Sequence, residues 1–193
     1  MSILKISIKY YLILLVLLGL LSCKKNSTNF DSGNSNRKLI SYVLIDSLNV
    51  GEVNDINSVT LEAFLNTSSI NASNYTNKIH KPKFSVRLYR VTYKSYIPEL
   101  RKSTIATGLI AIPNSNSKDM PVISYQHGTV FDKRMVPSIP EMSAETQFMI
   151  SQFASQGYVL IAADYFGLGD YSIEPNTYFV RYSTEQACLD MYY

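Results

Sequence analysis

The clearest pattern in the chain begins at Phe84. In FSVRLYRVTYKS apolar and polar residues alternate from Phe84 to Tyr93, the period of a half-exposed strand. TIATGLIAIP, ending at Pro113, reads as a second strand. YIPELRKS lies between them as a loop, so the two form an antiparallel pair. After the polar turn PNSNSKD, the more continuously apolar PVISYQ predicts a third strand. A long excursion with Pro137 and Pro140 comes next. A helix then spans about 143–156, with Phe148, Met149 and Phe153 as its apolar face and Gly157 as its stop. YVLIAADY is apolar without alternation, as a strand buried on both faces is. STEQACLDMYY begins another helix, with Ser183 or Thr184 as cap.

Upstream the pattern weakens. Between Lys38 and Lys83 the chain is mixed, and Ser58 is placed to cap a short helix carrying Leu61, Phe64 and Leu65 at i, i+3 and i+4. Asn71 to Lys83 is polar and turn-rich. Residues 38–83 therefore read as an opening segment with a short helix, packed on a domain spanning 84–193.

The first residues are of another kind. In MSILKISIKYYLILLVLLGLLSC two lysines precede an apolar run from Tyr10 to Leu21, followed by Ser22 and Cys23. Twelve residues are well short of the ~20 that cross a bilayer as a helix. Charged start, apolar middle and small residue at the cut make a secretory signal. Leu20-Leu21-Ser22-Cys23 resembles the lipobox of bacterial lipoproteins, which implies removal of 1–22 and lipid attachment at Cys23. The plainer alternative is an exported cysteine paired with Cys188. Residues 23–37 hold one aromatic and no aliphatic side chain, the composition of a solvated tether. The expected location is the bacterial cell envelope, and the expected partner of Cys23 is a membrane.

Charge and composition remove other classes. The formal charge is +3, and about +1 without Lys5 and Lys9. Lys and Arg are scattered, so nothing recommends nucleic acid as a partner. With two histidines, His80 and His127, and no C-x-x-C or H-E-x-x-H, no metal site is expected. Nor is any cofactor.

Two antiparallel strands, then strand, helix, strand and helix describe an α/β sheet with an antiparallel opening. On that order ISYQHGTV, ASQGYVLIAADYFGLGDYS and STEQACLDM resemble the α/β-hydrolase family, nearest its secreted lipase and esterase branch, over roughly 84–191. The resemblance implies a role for the loop after the third strand, which in this fold gives a backbone N–H to the oxyanion hole. Gly128 and Thr129 are the residues placed there, Thr129 as the donor, because glycine admits close backbone approach. The alternative is a strand-ending turn with a satisfied histidine. Asp164, Gly167 and Gly169 match the family's structural loop after the fourth strand, with Asp164 as a bracing acid. Gly167-x-Gly169 also invites a dinucleotide reading, but Ser172 replaces the third glycine and Pro175 interrupts the helix start.

The triad does not follow. No G-x-S-x-G occurs in the chain, and the family's order is nucleophile, acid, histidine. The expectation is therefore an amino-terminal part of an α/β-hydrolase sheet, truncated before its nucleophile strand. The strand over YVLIAADY would be left at an open edge of that sheet. The implied activity is that of a lipid-anchored serine hydrolase acting on small-molecule or lipid esters, inactive as this chain. The alternative is a non-enzymatic envelope lipoprotein that uses the scaffold for binding.

Overall fold

The structure is a computed structural model and describes residues 38–67 and 79–193. Cys23, the signal segment and the tether lie outside the described residues, as do the side chains of Phe64 and Leu65.

One five-stranded sheet organises the described chain, in the order β1-β2-β3-β5-β4. Strand β1 is Leu39–Leu48 and β2 is Val86–Ile97. Strand β3 is Lys102–Pro113, β4 is Val122–Ser124 and β5 is Val159–Ala163. The β2–β3 pair is antiparallel without a break, from Val86 opposite Pro113 to Ile97 opposite Lys102. Expected as a loop throughout, YIPELRKS is strand at both ends, Tyr96–Ile97 and Lys102–Ser103. Only a single turn over Pro98–Leu100 reverses the chain, with Arg101 in left-handed backbone at φ 49°.

The opening segment differs most from the expectation. Residues 39–48 form an edge strand antiparallel to β2. Helix α1 then runs over Val50–Thr67, 18 residues, and Ser58 lies inside it rather than at its start. Its cap is reciprocal: Asn49 Oδ1 accepts from the Glu52 N–H at 3.0 Å, and Glu52 Oε2 accepts from the Asn49 N–H at 2.7 Å. Ser58 Oγ instead donates to the Asn54 carbonyl, the intrahelical bond that competes with capping.

The placement of β5 also corrects the expectation. It pairs antiparallel with β3, Gly108 opposite Ala163, and parallel with β4, Ser124 opposite Ile161. It therefore sits inside the sheet, and the three-residue β4 holds the edge. The connection through helix α2 carries the chain back between β3 and β4, which explains the unbroken apolar run of β5.

Helices pack on both faces. Helix α2 spans Ala144–Gln152, capped by Ser143 Oγ, and a tight turn over Ala154–Gln156 ends at Gly157. It fully buries Thr146, Ile150 and Ser151, and of the expected face Phe148, Met149 and Phe153, Met149 packs partly buried against the core. Asn57 of α1 accepts from Ser151 and Gln152 of α2, tying the two helices together. Beneath them lie Leu48, Val53, Val86, Leu88, Leu109, Ile150 and Leu160. The opposite face packs Val91, Tyr93, Ala106, Ala163, Phe166 and Leu168 under helix α3, Arg181–Tyr192. No side chain caps α3. Ser183 bonds Glu99, and Thr184 Oγ1 donates to the Thr177 carbonyl at 2.9 Å. Asp190 of α3, buried, accepts from Lys38, from Ser95 at 2.7 Å and from Gln186 at 2.7 Å.

Candidate functional site

The loop after β4 is held from four directions. Pairing continues one residue past the strand, where the Tyr125 N–H donates to the Ile161 carbonyl at 2.8 Å. His127 is buried, with Nε2 3.1 Å from the Asp164 carbonyl and Nδ1 2.9 Å from the Gly128 carbonyl. Both ring nitrogens face carbonyl acceptors, and which of them donates depends on the tautomer. Its plane stacks on Tyr165, centroids 4.3 Å apart, with Tyr178 6.2 Å away. His127 thus ties the loop to the end of β5.

Tyr165 adopts φ 64°, a conformation that non-glycine residues rarely take. Its ring stack and a 3.4 Å bond from its hydroxyl to the His127 carbonyl accompany that backbone. Burial pushes its phenol well above the usual tyrosine range.

The fourth hold comes from α2. Both oxygens of Glu145 accept from the Gly128 N–H, at 3.3 and 3.2 Å. The Gly128 donor is thereby committed within the fold. Among the described residues the Thr129 N–H has no partner, while its Oγ1 donates to the Tyr178 hydroxyl at 3.1 Å. Thr129 is exposed, and its amide is the donor left for a ligand. What the arrangement offers chemically is an uncommitted N–H on a loop tied down at His127 and Gly128.

Asp164 sits at the end of β5, fully buried. Its Oδ1 accepts from the Ser138 N–H at 2.8 Å, and its Oδ2 from Thr107 Oγ1 at 2.5 Å. Burial pushes its pKa up, and the Ser138 and Thr107 donors pull against that shift. Three segments meet at this carboxylate: β3, the excursion before α2, and the loop after β5. Gly167 and Gly169 follow at φ 79° and 67°. A Cβ at Gly167 would lie 2.5 Å from the Pro175 backbone, and one at Gly169 2.5 Å from Asp164 Oδ2. Neither glycine is arranged around a phosphate-sized space.

Beside the loop, between the β4 edge and α3, runs a groove of about 630 Å³. Ser124, Gln126, Tyr178, Phe179, Cys188 and Leu189 line it. Cys188 is a free thiol, partly buried, and burial raises its pKa to about 11. Among the described residues no group of three His, Cys, Asp or Glu could hold a metal ion.

Sequence reasoning placed Gly128, Thr129, Asp164, Gly167 and Gly169, and the fold brings both loops together through His127. It missed Glu145, Tyr165 and Tyr178. Glu145 carries a visible signal, an acid in the first turn of a capped helix. Nothing local marks the two tyrosines.

No family model matches the chain, and neither does any curated protein. Solved structures do. A protein of Legionella pneumophila assigned to the hydrolases superposes with a TM-score of 0.62 at 25% identity, over 80% of this chain and 38% of its own. The fold is that of the α/β hydrolases. The rice cell wall degrading esterase LipA of Xanthomonas oryzae shows the same α/β-hydrolase likeness, with a TM-score of 0.60 at 20% identity over 82% of this chain and 36% of its own. A ligand-bound form of that esterase gives 0.60 at 18% identity, over 82% and 37%. The chain therefore spans under two-fifths of the length of these α/β-hydrolase structures.

Proposed function

We propose that this chain belongs to an exported, lipid-anchored serine hydrolase acting on esters. Residues 39–193 supply the opening of its sheet and one oxyanion donor. The observation that carries the proposal is the Thr129 amide, uncommitted beside a Gly128 amide that Glu145 holds in place. A donor fixed before the reaction stabilises developing negative charge without reorganising. Likeness in fold to a hydrolase and an esterase supports the reaction class. The lipobox-like Leu20-Leu21-Ser22-Cys23 supports export and a lipid anchor at Cys23.

Residues 1–193 hold no G-x-S-x-G, so the proposal makes this chain inactive by itself. The purified chain should leave a fluorophosphonate probe unreacted, and a labelled serine in it would overturn that part. The whole reading frame, any codons after 193 included, should yield a membrane-bound protein that reacts with the probe and turns over nitrophenyl esters. In that protein Thr129→Pro, which deletes the N–H, should lower turnover by roughly 10²–10³. Unchanged turnover would remove the oxyanion assignment, and a frame whose product never reacts would favour a binding protein. Mass spectrometry should find the mature chain starting at an acylated Cys23.

A further inference from the structure

The outer half of one sheet face has no helix on it. Helix α3 covers the Tyr93 end of that face. Beyond it, Leu39, Tyr42, Tyr89, Val91, Ile110 and Ile112 line a shallow dish of about 290 Å³. Register places Tyr42 opposite Val91 and Leu44 opposite Tyr89, so β1 adds a row of apolar side chains to the rim. Tyr42, Leu39 and Leu44 are 66%, 51% and 51% exposed. Three large apolar residues adjoining on one strand is more than the scattered exposure that a surface normally shows.

A cation lies on this face. Arg87 lies opposite Ile112, with its guanidinium carbon 6.0 Å from the centre of the Tyr89 ring. The nearby acid on β1, Asp46, lines the cavity on the other face. The chain leading into β1 carries Lys24, Lys25 and Arg37 against the single acid Asp31. An apolar dish with tyrosines and an arginine on its face, preceded in sequence by a basic stretch, has the chemistry of an interfacial membrane contact.

Position along the chain selects the membrane over other occupants. From Cys23 to Lys38 is fifteen residues, at most about 50 Å when fully extended. A lipid on Cys23 therefore keeps β1 within one domain's width of the bilayer. We propose that the β1–β2–β3 dish, with Leu39, Tyr42 and Leu44 at its rim, rests on the anionic membrane surface. There it fixes which way the anchored domain faces. This rests on the lipid anchor of the proposed function, so the test must separate the two.

The chain contains no tryptophan, so Tyr42→Trp gives a single reporter on the dish and Asn116→Trp one in the loop between β3 and β4. Each full-length variant is prepared with its native Cys23 and again with Cys23→Ser. Both are mixed with phosphatidylethanolamine–phosphatidylglycerol vesicles whose acyl chains carry bromine. The expected result is a blue-shifted dish reporter, quenched by the brominated chains, and an unquenched loop reporter. The Cys23→Ser form should show the same quenching of the dish reporter only with excess vesicles, weakened by salt. Adding Leu44→Asp should then lower its bound fraction roughly tenfold. If the anchor reading is wrong and the face is right, native and Cys23→Ser proteins will behave alike, both quenched only by excess vesicles. Membrane-bound protein with an unquenched dish reporter overturns the face and leaves the anchor standing. A dish reporter that becomes shielded with protein concentration in the absence of lipid means a second copy covers the dish, and also overturns it.

Discussion

Replacing Gly169 with alanine tests the brace around Asp164 at its tightest point. Gly169 has φ 67°, where an L side chain costs about 1–2 kcal/mol in the backbone alone. Its new Cβ would stand 2.5 Å from Asp164 Oδ2 and 2.9 Å from Thr107 Oγ1. Neither oxygen is free to retreat, because they are bonded to each other at 2.5 Å inside the core. Forcing atoms into such a site typically adds about 1–3 kcal/mol. Together the two effects come to about 3 kcal/mol, a large part of the roughly 5–15 kcal/mol that holds a domain together. For a domain of this size that corresponds to a fall in Tm of roughly 6–12 °C. Thermal melts by circular dichroism measure it, with Gly128→Ala as the comparison. A Cβ at Gly128 meets only the Glu145 carboxylate at 3.3 Å, the far end of a flexible side chain. Its cost should stay within about 0.5 kcal/mol. Equal melting temperatures for Gly169→Ala and the parent would refute the reading of the brace, as would equal losses from both substitutions.

Two further outcomes follow from buried groups. Burial raises the folded pKa of Asp164, so the native state binds this proton more tightly than the unfolded chain does. The penalty for its charged form is fully present above the folded pKa, and it fades as pH falls through that value toward the unfolded one. Relative to Asp164→Asn, the parent should gain stability on acidification across that window. A difference in urea midpoint that stays flat with pH would contradict this. In a Cys23→Ser background, Cys188, raised from 9.0 to about 11, should carry about a hundredfold less thiolate than an ordinary cysteine near pH 8. Iodoacetamide labelling should be correspondingly slow and should accelerate up to pH 11.

The strands from Val86 onward were legible because their pattern is regular. The β2–β3 ladder has no bulge, and alternation survives along it. Strand β1 was missed for the opposite reason. Register shifts between Leu39 and Ser41 and between Leu44 and Asp46 break its period of two. Its outer side also meets solvent with leucine, valine and tyrosine instead of polar residues. The cap of α1 was readable in Asn49 and Glu52, an N-x-x-E three residues apart, but Ser58 looked as suitable locally. The position of β5 was not readable. Its apolar run says that both faces are covered, and it does not say which strands lie beside it. At the loop, glycine and histidine point to a special backbone. The carboxylate that holds that backbone lies 17 residues away and is set by packing, not by spacing.

Lys38 is where the leading chain meets the fold, and two bonds hold it there. Its ammonium reaches buried Asp190 on α3, and its carbonyl accepts from the Lys94 N–H at 2.8 Å. In mechanical terms this is a rivet at a peel point. A pull along the leader would load β1 at its first residue, the geometry in which a strand unzips one hydrogen bond at a time. The ion pair diverts that load across the sheet into a helix far along the chain, so tension would have to break a part-buried contact before β1 could begin to lift.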